Sequence, residues 1–281
     1  MDITVRPLTE ADLDWAAAVL AATGLSARQP ELRRYLALEP AGYFAAEVDG
    51  RPVGLGGYVA YERFAFVGNM AVAQEFQGRG AGRAILTSLL TQIAGRGIPE
   101  TVLEATPEGE RLYRKVGFME AYWTMAYSRV GELAGPGRSG PTVDRLVGSD
   151  LDPVAAFDAP RFGTLRRRVL ERFLADFPGR GFVVRRPGGH VAGYLIAQSR
   201  VLGPWVAEDA ATAESLLIAA LALPFDGPAV AYAPAPNAAA AALFARLGFA
   251  AHWESLRMRR GPAGPLGRPE CLFGLAALAL G

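Results

Sequence analysis

The feature that most restricts this chain is a repeat of itself. Residues 112–118 read LYRKVGF and residues 243–249 read LFARLGF. Each stretch ends a helix, places a glycine where the left-handed cap residue belongs, and sends an aromatic residue into a strand. The echo extends outward. HVAGYLIAQ stands in the second half where PVGLGGYVA stands in the first, with Gly193 and Tyr194 matching Gly57 and Tyr58. LGPWVAED answers VGNMAVAQ, ATAESLLIAALA answers RAILTSLLTQIAGR, and AVAYAP answers TVLEAT. A chain of 281 residues has room for two domains of ordinary size. One fold written twice is the expectation.

Periodicity supplies the elements of each copy. A helix follows Thr9, whose hydroxyl and Asp12 form a capping pair, and a second, ELRRYLAL, follows Pro30. GYFAAEV and PVGLGGYVAY flank Asp49 and Gly50, a strong hairpin signal. FAFVGNMAV reads as a strand, and the helix after it presents Ile85, Leu86, Leu89, Leu90 and Ile93 on one face. TVLEAT, PEGERLYRKVG and FMEAYWTMAYSRV read as strand, helix and closing strand. GELAGPGRSGP has almost nothing to bury and marks a linker. The expected division is residues 1–130, a linker at 131–141, and residues 142–281. In the second part, RFGTLRRRVLERF (161–173) predicts one amphipathic helix with Phe162, Leu165, Val169 and Phe173 inward and the arginines outward. The tail PLGRPECLFGLAALAL is expected to add a last strand or helix to the second copy.

Composition excludes several classes. With 51% apolar and 20% charged residues the chain can form a core, and a net charge of +1 gives no global attraction for nucleic acid or anionic membrane. Lys115 is the single lysine among 29 basic residues. The single cysteine, Cys271, excludes an internal disulfide and fits a reducing cytoplasm. The polar, acidic start does not read as a signal peptide, and LFGLAALAL is too short to cross a bilayer. His190 and His252 are far apart and have no carboxylate or cysteine partner nearby, so no metal site is expected.

The stretch QGRGAGR (77–83) sits between a strand and a helix. Such a loop offers free backbone N–H groups at the positive end of a helix, and glycine lets phosphate oxygens approach them closely. The dinucleotide fingerprint G-x-G-x-x-G fails at Arg83, and a Walker loop needs a lysine that is absent here. What fits is Q-x-x-G-x-G, read as Gln77, Gly80 and Gly82 after the strand NMAV, followed by LYRKVGF. This resembles the acyl-CoA signature of the GCN5-related N-acetyltransferases, the GNAT superfamily, over roughly residues 1–130. The second half is similar to the degenerate C-terminal domain of some bacterial tandem members.

The resemblance implies an α+β fold: a mixed, mainly antiparallel sheet flanked by helices, present as two tandem GNAT-like domains. It implies that Met70, Ala71 and Val72 lie on the strand that pairs with the pantetheine arm of acetyl-CoA. An amide near Val72 would hold the thioester carbonyl. Gln77, Gly78, Arg79, Gly80, Ala81, Gly82 and Arg83 would take the pyrophosphate. Tyr113 would protonate or hydrogen-bond the departing thiolate. Many relatives carry a glutamate early in the strand before the glycine loop, and here Phe66 holds that place. Asn69, Glu62 and Glu104 are the alternatives for activating the amine, none of them assigned.

Where the first copy has QGRGAG the second has EDAATA, and where the first has Tyr113 the second has Phe244. One active and one retired half follow, the second shaping the acceptor site. The expected activity is transfer of an acetyl group from acetyl-CoA to a primary amine of a small-molecule or amino-acid-like acceptor, directly, in a ternary complex. A non-catalytic acyl-CoA sensor is the alternative. Expected partners are the amine and, where the chain self-associates, a second copy in a homodimer, with neither nucleic acid nor membrane.

Overall fold

The computed structural model describes residues 2–25, 28–129, 140–262 and 264–281. In the first copy the elements run β1 (Ile3–Pro7), α1 (Leu13–Ala22), α2 (Gln29–Leu38), β2 (Tyr43–Val48), β3 (Arg51–Ala60), β4 (Ala65–Val72), α3 (Ala81–Gly95), β5 (Thr101–Ala105), α4 (Pro107–Lys115) and β6 (Met119–Arg129). Local chemistry accounts for the boundaries. The Asp12 carboxylate accepts from the Thr9 N–H at 2.8 Å, closing the entry to α1. Asp49 and Gly50 both have positive φ, 50° and 73°, which gives the two-residue turn between β2 and β3 the twist of its strands. On α3, Ile85, Leu86, Leu89 and Ile93 are buried, and Leu90 packs at the margin of the same core.

The second copy repeats the order: β7 (Val143–Arg145), α5 (Leu151–Phe162), α6 (Arg167–Asp176), β8 (Gly181–Arg185), β9 (Val191–Ala197), β10 (Leu202–Ala207), α7 (Ala210–Leu221), β11 (Ala229–Pro234), α8 (Ala238–Arg246) and β12 (Ala250–Arg260), with β13 (Leu272–Gly274) added from the tail. Its helical entry repeats the first, since the Asp150 carboxylate accepts from the Val147 N–H at 2.9 Å. Among the described residues the strands form an eight-stranded sheet, β1-β2-β3-β4-β5-β12-β6-β11, and a five-stranded sheet, β13-β10-β9-β8-β7. Only β4 and β5 of the first copy pair in parallel; the other ladders are antiparallel. The fold is the expected α+β architecture in two tandem copies.

The middle of the large sheet joins the copies. β12, from the second copy, lies between β5 and β6 of the first, in register from Leu256 opposite Ala105 to Arg260 opposite Thr101. β6 in turn pairs with β11 of the second copy, from Ala229 opposite Arg129 to Pro234 opposite Thr124. Each copy thus lends its closing strand to the other: β12 covers β5, and β6 covers one side of β11, the last strand of the sheet. The core follows the exchange: Leu13, Tyr43 and Phe66 of the first copy pack in one cluster with Phe162, Phe173 and Leu280 of the second. The expected linker at 131–141 lies outside the described residues apart from residues 140 and 141.

The single helix expected over 161–173 is two. α5 ends at Phe162 because Gly163 adopts φ 107°, and α6 starts at Arg167. Phe162, Val169 and Phe173 are buried as the pattern requires, but Leu165 is 42% exposed. Arg166, expected outward, is 2% exposed. Its guanidinium holds both oxygens of Asp158, at 2.8 and 2.9 Å, which compensates the burial of the charge. The helical period broke at the glycine, and the register after it differs from the register before.

Candidate active site

β4 and β5 pair only over Ala65–Thr101, Phe66–Val102 and Val67–Leu103, then separate. Beyond Val67, β4 bulges against β3: Gly68 faces Gly57 and Ala71 faces Leu55, so Asn69 and Met70 share the place of one partner. Asn69 takes φ 54° to make the bulge. The backbone of Met70, Ala71 and Val72 therefore has a strand neighbour on one side and an open cleft on the other.

The glycine loop closes the end of that cleft. The Gln77 side chain donates from Nε2 to the Val72 carbonyl at 3.0 Å, tying the loop back to the strand. Gly78 and Gly80 have φ 73° and 99°, and Gly80 is the residue before α3. The first bond of the helix runs from the Ala84 N–H to the Gly80 carbonyl at 2.9 Å. The N–H groups of Ala81, Gly82 and Arg83 precede it, and Gly80 has no side chain to cap them. They are free for an anion, at the positive end of a 15-residue helix.

The cleft has a volume of about 1040 Å³. Met70, Ala71, Val72, Gln77, Gly78, Gly80, Ala81, Gly82, Arg83 and Tyr113 all line it. Arg79 does not; its guanidinium lies 5.9 Å from the centre of the Phe76 ring. Tyr113 is carried on α4, which Thr106 caps by accepting from the Gly109 N–H at 3.3 Å and which Pro107 begins. The ring lies back over Gly109, where a Cβ would meet it at 2.9 Å, so glycine makes room for the phenol. Tyr113 is 6% exposed, and burial holds its phenol well above the usual tyrosine range.

The cleft's carboxylates are less available than their number suggests. Glu104 has a side chain only 2% exposed. It accepts from Thr124 Oγ1 at 2.9 Å and Arg257 Nε at 2.6 Å on one oxygen, and from Ser255 Oγ at 2.7 Å on the other. Glu75 and Glu108, also lining the cleft, are exposed in the loop and in the first turn of α4. Glu62 is exposed and stands outside the cleft. Asn69 lines it and donates to the Tyr43 hydroxyl at 3.2 Å.

Trp253 of β12, together with Leu278 and Ala279 of the tail, also lines this cleft. Ala279 packs so close to Gly68 that a Cβ there would come within 2.4 Å. Sequence reasoning expected the second copy to shape the acceptor site without naming residues. The strand AYWTMAY of β6 packs between β12 and β11 of the second copy.

The corresponding place in the second copy is filled. Asp209 precedes α7 and its carboxylate accepts from the Thr212 N–H at 2.7 Å, occupying the helix start with a built-in anion. β13 lies against β10, with Trp205 opposite Gly274 and Val206 opposite Leu272. Leu275 then donates its N–H to the Tyr232 carbonyl of β11 at 2.8 Å. The chain's own tail runs where the first copy leaves its strands apart. Phe244, in the place of Tyr113, is fully buried among Tyr127, Trp205 and Phe249.

Among the described residues no helix is long and apolar enough to cross a membrane, and no group of three or more His, Cys, Asp or Glu residues could hold a metal. None of the curated proteins matches the chain in sequence. Among solved structures, a provisionally assigned acetyltransferase of Pyrococcus horikoshii shares 24% identity over 99% of this chain and 96% of its own, with a TM-score of 0.85. A GCN5-related N-acetyltransferase of Sphaerobacter thermophilus is 17% identical over 92% of this chain and 95% of its own, with a TM-score of 0.66. A tandem GNAT protein from the clavulanic acid biosynthesis pathway is 15% identical over 94% and 100%, with a TM-score of 0.65. At these identities the likeness is one of fold. The acetyltransferase (GNAT) family model matches residues 12–118, and a second acetyltransferase (GNAT) domain model matches residues 154–274. With both copies matched and the same two-copy architecture in its structural neighbours, the chain belongs to the GNAT acetyltransferase superfamily, in its tandem form.

Proposed function

We propose that this protein is an N-acetyltransferase that takes its acetyl group from acetyl-CoA, the usual donor of the family, and passes it directly to a primary amine of a small-molecule or amino-acid-like acceptor. One observation carries the reading: the uncapped start of α3, the freed end of β4 and the Tyr113 phenol all open on one cleft. Acetyl-CoA, when bound, supplies a thioester carbonyl open to attack. The chain's part is to hold and orient it. The N–H groups from Gly78 to Arg83 bind the pyrophosphate, with Arg83, and Arg79 from outside the lining, adding charge. Individual dipole contributions are small, about 0.3–1 kcal/mol, so the site depends on several donors converging.

Met70, Ala71 and Val72 align the pantetheine arm as an added strand would be aligned, and an amide near Val72 faces the oxygen on which charge grows. Tyr113 keeps its proton at neutral pH, because burial opposes ionisation, and hydrogen-bonds the departing sulfur; as the N–C bond forms and the C–S bond breaks, the proton shed by the amine nitrogen passes to the thiolate. The amine must attack uncharged, whereas a free alkyl ammonium is more than about 99% protonated at pH 7. Glu104 is committed to Arg257, Thr124 and Ser255, so the cleft favours the neutral amine by desolvation rather than by a dedicated carboxylate base.

The test is release of free thiol from acetyl-CoA on addition of a panel of amines, together with calorimetric titration of acetyl-CoA. Binding followed by amine-dependent thiol release is expected. Binding without release from any amine would leave an acyl-CoA sensor, and no binding would refute both readings.

A further inference from the structure

We infer that the acceptor is a primary amine carried on an apolar body, selected by Trp253 and Leu278 of the second copy. The inference rests on the acetyltransferase reading and names its acceptor class. Away from the glycine loop, the cleft is lined by Ala18, Val19 and Ala22 of α1 and by Trp253, Leu278 and Ala279 of the second copy. These are small aliphatic groups and one indole, without a charge among them. Trp253 is 37% exposed, so its ring has a free face.

Neither wall carries a carboxylate for a polyamine's distal ammonium. Glu104 already serves the Arg257 guanidinium at 2.6 Å and two hydroxyls, and the cleft's other two carboxylates, Glu75 and Glu108, stand in the loop before α3 and in the first turn of α4. An apolar wall also lowers the ammonium's pKa by desolvation, which suits an acceptor that must react uncharged.

The two selecting residues are held from a distance. Leu278 follows β13, which is fixed against β10 in the second copy's own slot, and Leu275 is pinned to Tyr232 at 2.8 Å. The far end is pinned too, since the Tyr61 hydroxyl donates to the Leu280 carbonyl at 2.8 Å. The retired slot anchors the strap that forms the active slot's acceptor wall. Trp253 is placed likewise, by the pairing of β12 with β6 opposite Ala126.

The experiment compares kcat/KM for phenethylamine, benzylamine and hexylamine with putrescine, spermidine and glutamate, in the full chain and in W253A and L278A. Acetyl-CoA affinity is measured for each protein by calorimetry. Apolar amines are expected to exceed the polyamines and glutamate by about 100-fold, since apolar pocket contacts discriminate by roughly 10–200-fold. Each variant is expected to lower kcat/KM for the apolar amines about tenfold, through KM, with acetyl-CoA affinity unchanged. W253L, which keeps apolar bulk, should recover most of the loss. Preference for a polyamine or glutamate would overturn the inference, as would refusal of every apolar amine by a protein that acetylates another amine. Variants that lose all amines equally would overturn the roles of Trp253 and Leu278. Failure of the acetyltransferase reading has a different signature: no acetyl-CoA binding, or no thiol release with any amine.

Discussion

The two corresponding slots of this chain, one in each copy, have opposite contents. In the first copy, β4 and β5 part after three paired positions and Gly80 leaves the start of α3 uncapped. In the second, β13 and Leu275 lie between β10 and β11, and the Asp209 carboxylate caps α7. The second slot is therefore filled, not collapsed. A filled slot contributes to stability through the apolar contacts of its plug: Phe273, 1% exposed, packs 5.3 Å from the Trp205 ring. The same segment continues into the lining of the first copy's cleft, so the filling of one slot also supports the wall of the other.

The severest way to break the comparison is to separate the copies. Deleting residues 142–281 removes β12 from the middle of the large sheet and strips β5 and β6 of a partner. Insoluble or unfolded protein is expected, read by far-UV circular dichroism and sedimentation. A soluble fragment with native ellipticity would show the exchanged strands to be dispensable.

A second pair of changes tests which slot binds. G80E places a side chain at φ 99° and a negative charge among the phosphate donors. It should weaken acetyl-CoA by about 100-fold in a calorimetric titration, through the charge and the displaced backbone donors together. D209G uncaps α7 but leaves β13 in place, so the titration should still saturate at a single acetyl-CoA per chain. Saturation at twice that level would mean that the plug can be displaced.

The aromatic pair gives a third contrast. Y113F should lower kcat roughly 100-fold while leaving acetyl-CoA affinity unchanged, as loss of a hydrogen-bond donor to the departing sulfur does. F244Y should gain no activity. It should cost about 1–3 kcal/mol in urea unfolding, because its hydroxyl would enter a fully buried aromatic cluster.

The smallest effect concerns pH. The Arg6 guanidinium, 2.7 Å away, and the Thr9 N–H hold the Asp12 carboxyl down at about 2, against 3.8 when unperturbed. A depressed carboxylate contributes stability that is complete above pH 3.8 and lost as pH falls through about 2. Arg6 is 36% exposed, so screening leaves about 1 kcal/mol. D12N should remove that contribution at pH 7 and flatten the acid limb of the stability curve between the two values.

Much of this was legible from one dimension. The hairpin at Asp49 and Gly50, the apolar face of α3 and the cap of α4 depend on neighbours within a few residues, and the pattern found them. The glycine loop was legible for the same reason: a helix start without a capping side chain is a local property. The helix over 161–173 was misread because one glycine resets the period, and Arg166 was misplaced because its partner, Asp158, is meaningful only after α5 and α6 have folded together.

By itself the sequence determined that there are two copies, that one kept its glycines and Tyr113, and where many of the first copy's helices and strands begin. These follow from backbone preference and short-range periodicity, which act before any distant contact exists. Only the tertiary structure decided that β12 and β6 change places, that the tail plugs one slot and lines the other, and that Glu104 is bound to Arg257. Strand partners 150 residues apart are chosen by the total burial and edge pairing of the finished sheet, a quantity that no local stretch of sequence contains.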